Sequence, residues 1–206
     1  LTSLFLEREL VQSIARNPCP EPKSALRATL LASREAQGGE ADQAARNEAL
    51  ARRLMEAVAR HRVSCIGFYW PVAGEFDARG VIAVWLAQDR ARTAALPVVV
   101  ERHAPMAFHA WQEDAPMKYG RYKIPVPQEE RVVVPDLLVI PCVGFDEARY
   151  RLGYGGGYYD RTLAAWPAAN RPATIGVAFE SGRCDALPHE NHDMPLDAVV
   201  TESAIY

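Results

Sequence analysis

A chain of 206 residues that is 49% hydrophobic and 24% charged is long enough to bury one substantial core and too apolar for extended disorder. Its formal net charge of −3 supplies no global basic field, which weighs against a nucleic-acid partner. No run of about 18 apolar residues occurs, so no membrane-spanning helix is expected, and the opening LTSLFLEREL lacks the basic-then-apolar order of a secretory signal.

In chain order, Leu4 to Arg16 has helical periodicity and ends at Pro18, Pro20 and Pro22. Residues 1–22 are therefore expected to form a helix and a proline-rich linker, ahead of a single α/β domain over 23–206. Lys23 to Ala36 favours helix, with Leu26 and Leu30 one turn apart, and Gly38-Gly39 ends it. A second helix is predicted from about Ala41 to Arg62, with Leu50, Leu54 and Val58 on one stripe. The period then changes. Val63 to Trp70 is a short apolar run bounded by Pro71, as in a strand buried on both faces. The loop PVAGEFDARG leads to a helix over Val81–Arg90, and Leu96–Val100 and Met106–Trp111 read as strands. Residues 112–135 are polar and proline-rich, a long loop or flap. Asp136–Val143 is the clearest buried strand. A glycine turn follows, then a helix to about Trp166, a strand over Ala173–Phe179, an irregular acidic loop and a last strand near Ala198–Thr201. This alternation predicts a three-layer α/β/α fold with a mainly parallel sheet.

Cys19, Cys65, Cys142 and Cys184 form no CxxC pair, and Cys65 and Cys142 sit in apolar runs, as buried thiols of a reducing compartment do. A cytoplasmic location is expected. The five histidines make no HExxH or HxH arrangement, so zinc is disfavoured, and no GxSxG elbow supports a serine hydrolase.

Gly153, Gly155, Gly156 and Gly157 are expected to lie directly between a buried strand and a helix. Backbone without side chains can approach an anion there, and a helix N-terminus directs free N–H groups at it. Arg151 would add positive charge, and Asp160 in the first helical turn suits a Mg²⁺ among phosphate oxygens. The same glycines also suit a mere tight connection, with Asp160 favouring the helix dipole. Tyr158-Tyr159 stands where a Walker A motif needs Lys-Ser/Thr, and the glycine spacing is not that of a dinucleotide fingerprint. Lys23, Arg27 and Arg34 share one helical face, which by itself is the pattern of a solvated basic stripe.

The run FDEARYRLGYGGGYYDR closely resembles the signature of the 5-formyltetrahydrofolate cyclo-ligase family. Lys23/Arg27, Pro71/Glu75/Asp77 and His192/Asp193/Asp197/Thr201/Glu202 stand in that family's order, so the resemblance covers roughly residues 23–202. It implies a NagB/RpiA-like α/β domain that closes 5-formyltetrahydrofolate to 5,10-methenyltetrahydrofolate with ATP and Mg²⁺, through a phosphorylated formyl group. It implies catalytic roles for Lys23 and Arg151. Nucleotide contacts would fall on Lys23, Ser24, Ala25, Leu26 and Arg27 and on Arg151, Leu152, Gly153, Tyr154, Gly155, Gly156, Gly157, Tyr158 and Tyr159. Asp160 and Asp193 would hold Mg²⁺, with Asp197 a rival for the second place, and Arg34 stands as a further candidate on the phosphate helix.

Substrate contacts would fall on Trp70, Glu75, Tyr122, Tyr154, Gly155, Gly156, Gly157 and Tyr158, with Glu75 facing the donor-rich pterin edge. Lys118, Arg121 and Lys123 would receive the carboxylates of a glutamate tail. The expected partner is a reduced folate, its polyglutamylation left open, bound by a monomer with no nucleic-acid or membrane partner. The flap departs from many bacterial relatives, carrying Lys123-Ile-Pro-Val-Pro127 where they have Gly-Ile-x-Glu-Pro. The alternatives are a paralogue with another substrate and a non-catalytic nucleotide- or folate-binding regulator.

Overall fold

The computed structural model describes residues 22–36, 39–190 and 193–206; the expected helix over Leu4–Arg16, most of the linker after it, and His192 lie outside the described residues. Helix α1 spans Lys23–Glu35 and α2 spans Glu40–Ala59. On α2 the spacing of Leu50, Leu54, Ala57 and Val58 puts four buried side chains on one face. By contrast α1 buries none of its residues fully. Strand β1, Cys65–Gly67, leads through a long turn to α3, Arg79–Ala87, which buries Val81, Ile82 and Trp85. Then come β2 (Thr93–Val98), β3 (Ala107–Trp111), β4 (Met117–Tyr119), β5 (Pro125–Pro127), β6 (Val132–Val133) and β7 (Leu137–Pro141). The chain continues with β8 (Gly144–Phe145), β9 (Arg151–Leu152), α4 (Tyr158–Ala165), β10 (Ala173–Val177) and β11 (Ala198–Val200).

Seven strands make the main sheet in the order β11-β10-β7-β1-β2-β3-β6. The first five in that order are parallel, and β3 and β6 add antiparallel pairs at one edge. Alternation along β7 divides the core in two. Leu137 and Val139 pack with α2 and α3, whereas Leu138 and Ile140 pack with Leu163 of α4, Phe145 and Leu196. The expected helix–sheet–helix layering is thus present. Two carboxylates pin strand starts: Asp136 accepts from Ser64 and Cys65 N–H at 2.9 and 3.0 Å, and Asp197 accepts from Thr174 N–H at 2.8 Å.

Two expectations need correction. Residues 112–135 are not a plain loop: β4 and β5 form a hairpin and β6 joins the main sheet. Prolines hid this because they lack a ladder donor, and they are tolerated here on short edge strands. Nor do the glycines follow β7 directly, because the β8–β9 hairpin intervenes. Its connection is organised by the buried Asp146, whose carboxylate accepts from Tyr150 and Leu187 N–H at 3.0 Å each. No helix among the described residues is long and apolar enough to cross a membrane.

Candidate active site

The carboxyl ends of β1, β2 and β7 open onto a cavity of about 740 Å³, a volume suited to a cofactor-sized ligand. Its walls come from the first turn of α1, the turn after β1, the β4–β5 hairpin, the glycine turn with the start of α4, and the segment around Glu190 and Asp193. Lys23 and Asp193, 170 positions apart in sequence, therefore meet on one surface.

The glycine turn carries positive-φ backbone where it passes α1. Gly155 has φ +90°, and a Cβ there would lie 3.3 Å from Arg27 Cζ, so the guanidinium packs against bare backbone. The same arginine donates through Nε to the Gly153 carbonyl at 2.6 Å. Gly157, at φ +63°, precedes α4 and gives it no side-chain cap. The first N–H groups of α4 are thus available to an anion. Two cation–carboxylate pairs flank the turn. Arg151, its side chain only 6% exposed, bonds Asp160 at 2.5 Å. Lys23 bonds Asp193 at 2.6 Å and approaches Glu190 at 3.6 Å.

A different chemistry gathers around Glu75. The turn holding it has both central residues, Ala73 and Gly74, at positive φ, and Glu75 N–H closes it on the Val72 carbonyl at 3.0 Å. Glu75 Oε2 accepts from Val72 N–H at 2.8 Å, while Oε1 is buried without a hydrogen-bond partner. The Tyr154 hydroxyl lies near enough to favour the charged carboxylate, but outside normal hydrogen-bond geometry. Burial outweighs these contacts and Arg34's positive charge, and raises the Glu75 pKa from 4.5 to about 7. A buried, half-satisfied acceptor of this kind is a candidate contact for a ligand that brings N–H donors.

At the rim, Tyr122 and Tyr158 share a hydroxyl–hydroxyl bond of 2.6 Å, and Tyr122 and Lys123 both adopt left-handed backbone. Trp70 lines the cavity with Arg79 stacked on it at 4.3 Å. Asp77 is occupied by that same arginine.

Most of the residues singled out from sequence converge here, including Lys23, Arg27, Trp70, Glu75, Tyr122, Asp193 and every position from Arg151 to Asp160. Ser24, Ala25 and Leu26 do not line the cavity, because helical geometry turns only Lys23 and Arg27 toward it. Asp197 is engaged in bonding Thr174, away from the cavity lining. Of the three flap cations, Arg121 lines the cavity, Lys118 pairs with Glu130 at 2.6 Å, and Lys123 is outside the lining. Thr201 and Glu202 bond the Glu180 segment instead. Sequence reasoning missed the apolar wall of Leu96, Pro97, Val99, Met106 and Val126, and also Tyr69 and Glu190. Position at the carboxyl end of an expected strand was the available signal for Tyr69 and Val99.

No group of three or more metal-binding side chains occurs among the described residues. Asp160 and Asp193, both on the cavity wall, fit a hard cation that takes its remaining ligands from phosphate oxygens and water.

The model of the 5-formyltetrahydrofolate cyclo-ligase family matches residues 20–202. The 5-formyltetrahydrofolate cyclo-ligase of Escherichia coli (strain K12) is 36% identical over 140 residues, covering 65% of this chain and 75% of that protein. The enzyme of the same name from Mycolicibacterium smegmatis is 29% identical over 196 residues, covering 88% and 94%. Among solved structures, the 5,10-methenyltetrahydrofolate synthetase of Aquifex aeolicus superposes with a TM-score of 0.74 at 27% identity, over 89% of this chain and 91% of that one. With the match running from the start of α1 to the end of the last strand, this chain is an enzyme of the 5-formyltetrahydrofolate cyclo-ligase family.

Proposed function

We propose that the protein uses ATP and Mg²⁺ to convert 5-formyltetrahydrofolate to 5,10-methenyltetrahydrofolate, releasing ADP and phosphate. The observation that carries this reading is that one cavity collects a phosphate-suited glycine turn with the cations Lys23, Arg27 and Arg151 and a carboxylate whose buried Oε1 lacks a partner. Lys23, Arg27 and Arg151 bind the triphosphate, assisted by the N–H groups of the glycine turn and of α4. Lys23 and Arg151 now neutralise Asp193 and Asp160. With nucleotide bound these cations would turn to phosphate oxygens, and Asp160 and Asp193 would hold Mg²⁺. Bound there, the metal supplies charge neutralisation and orientation of the phosphates.

Glu75, in its charged form, accepts N–H bonds from the pterin, while Trp70, Tyr122 and the apolar wall enclose the ring and exclude water. The formyl oxygen attacks the γ-phosphorus and the bond to ADP breaks. N10 then attacks the formyl carbon, loses its proton, and the C–O bond breaks to release phosphate. Arg151 and Lys23 stabilise the charge that develops on the transferred group.

The test is to incubate purified protein with 5-formyltetrahydrofolate and MgATP and follow the near-ultraviolet absorbance of the methenyl product. Product that depends on both ATP and Mg²⁺ is expected. Its absence would overturn the reading and leave the paralogue or the binding regulator.

A further inference from the structure

The first turns of α1 bring Lys23 and Arg27 to the cavity, but its last turn sends Arg34 elsewhere. Arg34 does not line the cavity. One terminal nitrogen donates to the Cys142 carbonyl at 2.8 Å, just past the end of β7, and the other donates to the Tyr154 hydroxyl at 3.3 Å. Its stem lies along Gly74, where a Cβ would come within 3.7 Å of Arg34 Cδ. One side chain therefore touches the end of a central strand, the glycine turn and the turn that presents Glu75. The helix it belongs to buries none of its residues fully, so such ties add to the packing of half-buried Leu30 against Gly144 in seating α1.

Resting on the cyclo-ligase reading, we propose that Arg34 is a positioning residue of this site, holding the Tyr154 hydroxyl beside Glu75 and presenting a positive charge to that carboxylate. Four other titratable groups face Glu75: Tyr69 past β1, Cys142 past β7, Tyr154 in the glycine turn and Tyr159 on α4. Burial pushes the pKa of each upward, so all four are neutral near pH 7. Arg34 is the cation in this set. While ionised, Glu75 offers its unpartnered Oε1 to a pterin N–H as Oε2 keeps the Val72 N–H, whereas a proton on Oε1 would set donor against donor, so loss of the Arg34 charge weakens substrate binding before it touches phosphate handling. The coupling runs through Tyr154: the glycine turn that closes on phosphate also carries the hydroxyl beside Glu75.

The experiment compares wild type with Arg34→Met, which keeps the stem without the charge, and Arg34→Lys, which restores charge without the two-point grip. The steady-state constants for folate and ATP are measured from roughly pH 6 to 9, together with the pH dependence of ligand-free stability. Arg34→Met is expected to raise KM for the folate about tenfold with little change in KM for ATP, the loss of one hydrogen bond in a charged site. It should also shift the acid limb of kcat/KM upward by about one pH unit, and Arg34→Lys should return that limb toward wild type. Without ligand, the stability change linked to Glu75 should move up in pH in Arg34→Met and vanish in Arg34→Met/Glu75→Gln. If Arg34→Met lowers Tm but leaves both the KM ratio and the acid limb as in wild type, Arg34 is a helix anchor and the proposal fails. It fails equally if Arg34→Lys leaves the limb where Arg34→Met put it. A wild type that yields no methenyl product removes the cyclo-ligase reading instead. In that case the ligand-free titration still decides whether Arg34 governs Glu75.

Discussion

Replacing Glu75 by Gln separates the carboxylate's charge from its shape. The amide oxygen can keep the 2.8 Å bond from Val72 N–H, while the charge buried beside an unpartnered Oε1 disappears. In the folded protein the pKa of Glu75 rises from 4.5 to about 7, chiefly through burial, so the fold binds this proton more tightly than the unfolded chain does. Glu75 is therefore harmless to stability below about pH 4.5, and its penalty grows as pH rises and is complete above about 7. At about 1.4 kcal/mol per tenfold change in proton affinity, the full penalty is at most about 3.5 kcal/mol. Because the residue is only half-buried, solvent relaxation reduces this, and a gain of about 1–3 kcal/mol is expected for Glu75→Gln. Denaturant titrations of the ligand-free protein near pH 8 should show that gain, and those near pH 5 should show little. Equal effects at the two pH values, or a variant less stable at pH 8, would refute the charge argument. The same variant should lose activity, as expected where strain is held at a functional site.

Gly155→Ala places a Cβ 3.3 Å from the Arg27 guanidinium at φ +90°, and should raise KM for ATP at least about tenfold, with a smaller effect on the folate, in initial-rate assays. Asp160→Asn retains an acceptor for Arg151, so the chain should fold. The Mg²⁺ concentration for half-maximal rate should rise about tenfold or more, and an unchanged Mg²⁺ response would remove Asp160 from the metal site. Ala73→Gly relieves left-handed backbone at φ 48°, worth about 1 kcal/mol, against a comparable gain in unfolded-state entropy. Thermal melts should find it neutral to about 1 kcal/mol stabilising, and a clear loss would indicate that Ala73 packs in a way its backbone does not reveal.

The fold was legible where hydrophobic pattern dominates. Continuous apolar runs marked β1 and β7, and the stripe through Leu50, Leu54 and Val58 marked α2. What escaped were elements whose stability comes from partners distant in sequence. The β4–β5 hairpin is built largely of Pro and polar residues, and the β8–β9 hairpin depends on Asp146 reaching Leu187. In the site, the long glycine signature placed Arg151 to Asp160, and the resemblance of Lys23/Arg27 to the family's early pair placed those two. Arg34 shares their helical face, but at a rise of about 1.5 Å per residue it lies two to three turns further along α1, beside Tyr154 and Cys142, and takes another task. The apolar wall was invisible because Leu96, Pro97 and Val126 look like any strand residues until the sheet brings their ends together.

On the proposed reaction, phosphoryl transfer from ATP and ring closure on the folate are coupled in one cavity. The most direct measurement follows ADP and methenyl product together in the same sample, with and without 5-formyltetrahydrofolate. One ADP per methenyl product is expected, with negligible ADP when the folate is left out. Steady ADP release without folate, or methenyl product formed without ADP, would contradict it.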